Sequence, residues 1–173
     1  MPTGGLPSTT GTLLFGIGTR ANNSLGSATI ITPIDSYGNL GTTYPASGTK
    51  YTSYVDSGTN MFTFLDSATS GLPLCKDASL SSYYCPPGPA RLSATIFGGN
   101  NQSAPVTFDI ADPSGVSSSV FILGTLGAEM PGFPVAAGQA EFLWGLPFFF
   151  GRTVYTAIEN QDTPGGPGPY VAF

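Results

Sequence analysis

One carboxylate stands out for its setting. In Tyr54-Val55-Asp56-Ser57-Gly58-Thr59 an apolar, β-prone run delivers Asp56 into a tight turn. A solitary aspartate, with a pKa near 4, is a weak base at neutral pH. Two carboxylates about 3 Å apart behave differently, because both cannot ionise and they share one proton. The ionised member can then take a proton from a trapped water while the protonated member polarises a carbonyl. That chemistry needs neither a metal nor a histidine. The chain contains no histidine at all, which excludes a Ser-His-Asp triad.

The residues after Asp56 have physical roles in such a loop. Gly58 allows a close approach that a side chain would block. Ser57 offers a hydroxyl to a facing loop, and Thr59 can donate to the carboxylate and fix its orientation. Asp-Ser-Gly is also an ordinary β-turn sequence. What sets this one apart is its order along the chain. A strand-like run precedes it, Met61-Phe62-Thr63-Phe64-Leu65 follows it, and far downstream comes a second apolar run with an internal glycine, Phe142-Leu143-Trp144-Gly145-Leu146. Leu143, Trp144 and Gly145 are the candidates for a segment that braces the Asp56 turn.

The elements that must position these residues read as strands. The chain has 173 residues, enough for one domain with a sizeable core. Hydrophobic residues make up 40% and charged residues only 9%, against about 25% in ordinary domains. The 24 glycines and 16 prolines favour strands and turns over helices. Strand-like runs fall at Thr12–Gly18, Ser27–Thr32, Thr42–Tyr44, Lys50–Val55, Met61–Leu65, Leu92–Phe97, Val106–Ile110, Val120–Leu123, Arg152–Ile158 and Pro169–Phe173. Turns are expected at Asp35–Asn39 and Gly98–Asn101, a short helix at Pro147–Phe150 and a surface excursion at Glu129–Ala140. There is no internal repeat. The sum is an all-β, barrel-like domain over residues 11–173, led by a flexible segment 1–10.

Composition also narrows the partners. The net charge is −5 and the five cations are scattered, which argues against nucleic-acid binding. No apolar run reaches the ~18 residues of a membrane span. No cofactor motif is present. Cys75 and Cys85 enclose a short loop and read as a local disulfide, implying an oxidising compartment. Two cysteines without histidine do not make a zinc site. Asp66 reads as a helix cap or turn residue, Asp109 and Asp112 as turn residues before Pro113, Trp144 as core, and Phe148–Phe150 as core plus an interface edge. Asn22-Asn23-Ser24 and Asn101-Gln102-Ser103 match the glycosylation pattern, but turn chemistry accounts for them.

Taken in order, these segments resemble one lobe, the second, of the pepsin-like aspartic peptidases. Asp56 to Asn60 is similar to their catalytic loop, and Leu92–Gly99 to the strand and hairpin that follow. Phe142–Glu159 is similar to their near-terminal glycine segment, short helix and strand, and Pro169–Phe173 to their final strand. Phe15-Gly16-Ile17-Gly18-Thr19 and Trp144–Arg152 also resemble the carboxy-terminal half of a bacterial group of two-lobed, pepsin-like envelope proteins. The resemblance implies an endopeptidase lobe whose catalytic residue is Asp56, supported by Ser57, Gly58 and Thr59. It implies a peptide or protein substrate, and a secreted or periplasmic location. The second acid would come from self-association, as in retroviral-type enzymes, or from a partner lobe. The chain departs from the pattern in carrying no first-lobe Asp-Thr-Gly and no flap tyrosine, and in having Leu146-Pro147 where an acid usually follows the glycine. Two rival readings remain at this point. One is a non-catalytic β-domain of the same fold that serves binding or envelope structure. The other is an unrelated sandwich module, in which Asp56 and Gly145 would lie far apart.

Overall fold

Period-two alternation decides where the longest strands lie. β5 (Ala90–Phe97) and β6 (Ser103–Ile110) pair antiparallel over their whole length. On β6, Ala104, Val106, Phe108 and Ile110 are buried and the residues between them turn outward. The hairpin joining them has Asn101 at φ 59°, a conformation asparagine tolerates. The computed structural model describes residues 4–45, 48–130 and 142–173.

The main sheet has seven strands in the order β6-β5-β2-β3-β8-β4-β7, where β2 is Leu40–Thr43, β3 Lys50–Val55, β4 Phe62–Phe64, β7 Gly127–Ala128 and β8 Phe142–Trp144. It curls into a barrel-like shape. At one end the two margins nearly meet, where the Ala111 N–H donates to the Thr125 carbonyl at 3.0 Å. The fold is all-β, as expected from the sequence, with little helix: among the described residues, one turn, α1 (Ser67–Ser70), and three short 3-10 segments.

The centre of this sheet is built from distant parts of the chain. β8 inserts between β3 and β4, parallel to the first and antiparallel to the second. Tyr54 faces Leu143 on one side, and Thr63 faces Leu143 on the other. The core beneath is aromatic. Phe64, Phe142, Trp144 and Phe148 are fully buried, and Phe62 and Phe108 nearly so. Phe142 stacks on Trp144 with ring centroids 4.6 Å apart, and Phe62 meets Trp144 edge-on at 6.0 Å. Each such pair adds about 1 kcal/mol beyond simple burial.

Two smaller sheets complete the architecture. β1 (Ile30–Ile31), β12 (Tyr170–Ala172) and β9 (Tyr155–Ala157) form one, over a minor cluster that includes Ile17, Leu25 and Ala28. β10 (Asp162–Thr163) and β11 (Gly166–Pro167) form a minimal hairpin. The Asp35 turn forms, with its Oδ1 accepting from the N–H groups of Tyr37 and Asn39.

Several expected elements differ. Thr12–Gly18 is not a strand. Gly16 and Gly18 take φ of 83° and 70°, and the chain folds into a turn tied by Asn23 Nδ2 to the Gly16 carbonyl, leaving Leu13 and Phe15 exposed. Val120–Leu123 contributes only a bridge from Ile122 to Leu6, with Phe121 exposed. That bridge also ties down Leu6, within the segment expected to be a free lead-in. Asp109 is a strand residue of β6 rather than a turn residue, and Arg91 lies 3.6 Å from it across the ladder. The ends of Ser27–Thr32 and Arg152–Ile158 lie outside the ladders. Most of the excursion at Glu129–Ala140 lies outside the described residues.

Candidate active site

β3 ends at Val55, and its continuation is held by the neighbouring strand. The Asp56 N–H donates to the Trp144 carbonyl at 2.9 Å, so the acid enters its turn already fixed to β8. The turn closes with the Thr59 N–H pointing at the Asp56 carbonyl, 3.4 Å away. Asp56 itself is half-buried, while Ser57 and Gly58 are exposed.

Both carboxylate oxygens are oriented by the loop. Oδ1 accepts from the Gly58 N–H at 2.8 Å, and Oδ2 accepts from the Thr59 hydroxyl at 2.6 Å. A Cβ added at Gly58 would lie 3.1 Å from Oδ1, so this position favours a residue without a side chain. Each oxygen keeps a second lone pair for a further donor. A water or a second carboxyl group can therefore approach without breaking either bond.

The glycine segment lies directly against this loop. The Leu146 N–H donates to the Thr59 carbonyl at 2.6 Å. A Cβ on Gly145 would lie 2.0 Å from the Met61 carbonyl oxygen and 2.6 Å from that of Thr59. Backbone occupies that space, so only glycine fits. Leu143, Trp144 and Gly145 are thus brought against the Asp56 turn.

Behind the loop runs a buried polar chain that sequence reasoning missed. Trp144 Nε1 donates to Thr42 Oγ1 at 3.0 Å, and Thr42 Oγ1 donates to Ser53 Oγ at 2.8 Å. Thr42, Ser53 and Trp144 are all fully buried. The bonds link β8, β2 and β3, and they satisfy groups that would be costly to bury alone. The visible signal was a hydroxyl residue at an inward position on each of two strands.

The remaining candidates lie elsewhere. Cys75 and Cys85 form the expected disulfide. It closes a loop whose Tyr84 is fully buried and donates its hydroxyl to the Phe64 carbonyl at 2.7 Å. Burial pushes the Tyr84 pKa up. Cys75, Cys85 and Asp112 lie close together, but the disulfide takes both sulfurs out of metal chemistry. Asp66 caps α1 through the Thr69 N–H at 2.6 Å, and this bond lowers its pKa. Asp112 holds a turn through the Ser114 N–H. Phe148 is core, while Phe149 and Phe150 are half-buried. Among the described residues no helix is long and apolar enough to cross a membrane.

Comparison with known proteins matches no curated protein and no solved structure. It does match a family model, described as "Protein of unknown function (DUF3443)", and the match runs over residues 1–173, taking in the Asp56 loop, the glycine segment and the disulfide alike. The chain belongs to the DUF3443 family.

Proposed function

We propose that this chain is one half of an aspartic endopeptidase, with Asp56 as its catalytic carboxylate. One observation carries the reading: the Asp56 amide is bonded to Trp144 while Gly145 lies under the Asp56–Met61 loop. The turn is therefore braced by a strand inserted from far along the chain. An ordinary surface turn needs no such brace, and the sandwich-module reading places these residues apart.

The second acid comes from another half, either a second copy related by a two-fold axis or a separate lobe. The ionised carboxyl takes a proton from water. The water oxygen attacks the peptide carbonyl carbon, while the protonated carboxyl gives its proton to the carbonyl oxygen. Collapse of the tetrahedral intermediate breaks the C–N bond, and the amine leaves with a proton from the dyad. In this chain Thr59 and Gly58 hold Asp56 in place. The disulfide suits a secreted or periplasmic enzyme.

The test is peptide hydrolysis at acid pH, with and without a statine-type inhibitor, beside light scattering. Inhibitor-sensitive cleavage that disappears in Asp56→Asn is expected from the associated form. A demonstrated dimer or two-lobed complex with no such cleavage sinks the proposal. A second reading, a non-catalytic β-domain of the same shape, has its own support. Both Asp56 oxygens are bonded within their own loop, and no acidic partner joins Asp56 in any three-ligand cluster among the described residues.

A further inference from the structure

The barrel has a seam. β6 is the free margin of the main sheet, and it meets residues 125–127 only at its end, where Gly127 packs on Ile110 and Ala111 bonds Thr125. Before that point the margins part. The gap holds a cavity of about 160 Å³, floored by Phe62 and Phe108 and flanked by Phe150 and Arg152. This space lies outside the Asp56 loop and plays no part in the proposed catalysis.

Strand parity shows what β6 presents to the gap. In an antiparallel ladder, alternate residues turn both backbone groups toward the partner strand, and the others turn both away. The Thr107 carbonyl accepts from Arg152 Nη2 at 3.4 Å, and the Ala111 N–H is taken by Thr125. The odd-numbered residues therefore face the seam. Pro105 fits this parity, since it has no N–H to lose. Outside the β5–β6 ladder, the N–H groups of Thr107 and Asp109 have no partner among the described residues. They form a short open template for an added strand.

Arg152 supplies a fixed charge at one end of the template. Its Nη1 donates to the Phe148 carbonyl at 2.6 Å, and its guanidinium lies 4.6 Å from the centre of the Phe148 ring. Two of five N–H donors are used by these backbone bonds, which leaves three. Asp109, the acid on the same margin, is engaged by Arg91 across the ladder.

We propose that this seam binds the carboxy-terminal end of an extended peptide. The peptide adds as a strand to the Thr107–Asp109 margin, places its terminal carboxylate on Arg152, and lodges an apolar last side chain between Phe62, Phe108 and Phe150. The cavity has the volume for one large apolar side chain. The cation beside an apolar hole complements an apolar residue bearing a free carboxylate, and the open margin supplies main-chain bonds for the residues before it. The inference stands independently of the proposed peptidase activity.

The experiment titrates acetyl-Thr-Val-Thr-Leu, with a free carboxylate, into the wild-type chain at neutral pH and follows backbone amide NMR shifts. Saturable shifts at Thr107, Asp109 and Thr125 are expected. The same peptide with a carboxamide end should bind at least about tenfold more weakly, since it loses the charge-assisted bond. Thr107→Pro should weaken binding to a similar degree without unfolding the chain, because Pro105 already occupies an equivalent position on β6. No saturable shift at the seam, or equal binding of acid and amide, overturns the proposal.

Discussion

The middle of the main sheet and its seam are made from neighbouring residues yet differ in kind. Around β3, β8 and β4 each strand has a partner on both sides, Gly145 is packed against carbonyl oxygens, and the one indole is stacked, edge-packed and hydrogen-bonded at once. At the seam, the N–H groups of Thr107 and Asp109 have no partner among the described residues, the cavity is open, and Arg152 reaches across to the Thr107 carbonyl. The first region is over-determined and the second under-filled. A carboxylate whose two oxygens are held in a fixed orientation belongs in the former. A surface that accepts an incoming chain belongs in the latter.

Substitutions should break that contrast unevenly. Trp144→Ala removes the centre of the aromatic cluster and the indole N–H that donates to the Thr42 hydroxyl, and should cost about 4 kcal/mol in urea unfolding. Gly145→Ala adds one methyl, yet should cost about 3 kcal/mol, because the atoms in its way are backbone. If Gly145→Ala unfolds with the wild-type midpoint, the loop is not held as described. Replacing both Cys75 and Cys85 with serine should lower stability by about 2–3 kcal/mol through loop closure alone. Thr59→Val should cost about 1 kcal/mol and reduce any Asp56-dependent hydrolysis, with Thr59→Ser restoring both. Thr107→Pro at the seam should change stability by less than about 0.5 kcal/mol.

The smallest effect is set by pH. Asp35 is held below its ordinary pKa chiefly by Asn39, Asp66 by the Thr69 N–H, Asp77 by the Ser79 N–H and Asp112 by Ser114. A carboxylate whose pKa is lower folded than unfolded stabilises the fold above the unfolded value, near 4, and loses that contribution as pH falls further. Thermal midpoints should therefore decline gently below about pH 4. These four residues are turn and cap groups, Asp35 half-buried and the other three exposed, and none is held by Thr59 or Thr107, so the decline should be similar in the Thr59→Val and Thr107→Pro chains. A decline confined to one of them would tie acid sensitivity to that region.

Much of this was legible in the sequence where local pattern and burial agree. Lys50–Val55 forms a strand over its full predicted span because it runs unbroken into the Asp56 turn. The Asp56 loop and its glycine brace were readable as separate segments of matching character, although their contact depends on a strand pairing that no local signal specifies. Thr12–Gly18 misled because Leu13, Leu14 and Phe15 look like core but have no ladder to join, and the following glycines turn the chain away. β7 and the β10–β11 hairpin are two residues per strand, too short to leave a period. Thr42 and Ser53 fall in strand-like runs, but nothing local to either shows that a buried indole lies opposite.

The parallel pairing of β3 with β8 has a consequence in time. As a nascent polypeptide grows, Asp56 emerges well before the carbonyl that anchors its amide, which belongs to Trp144. Contacts separated so widely along the backbone are slow to close. Until they do, the acid sits on an unshaped loop, so the Asp56 turn takes its final geometry only after the Trp144 segment has been made and has joined the sheet.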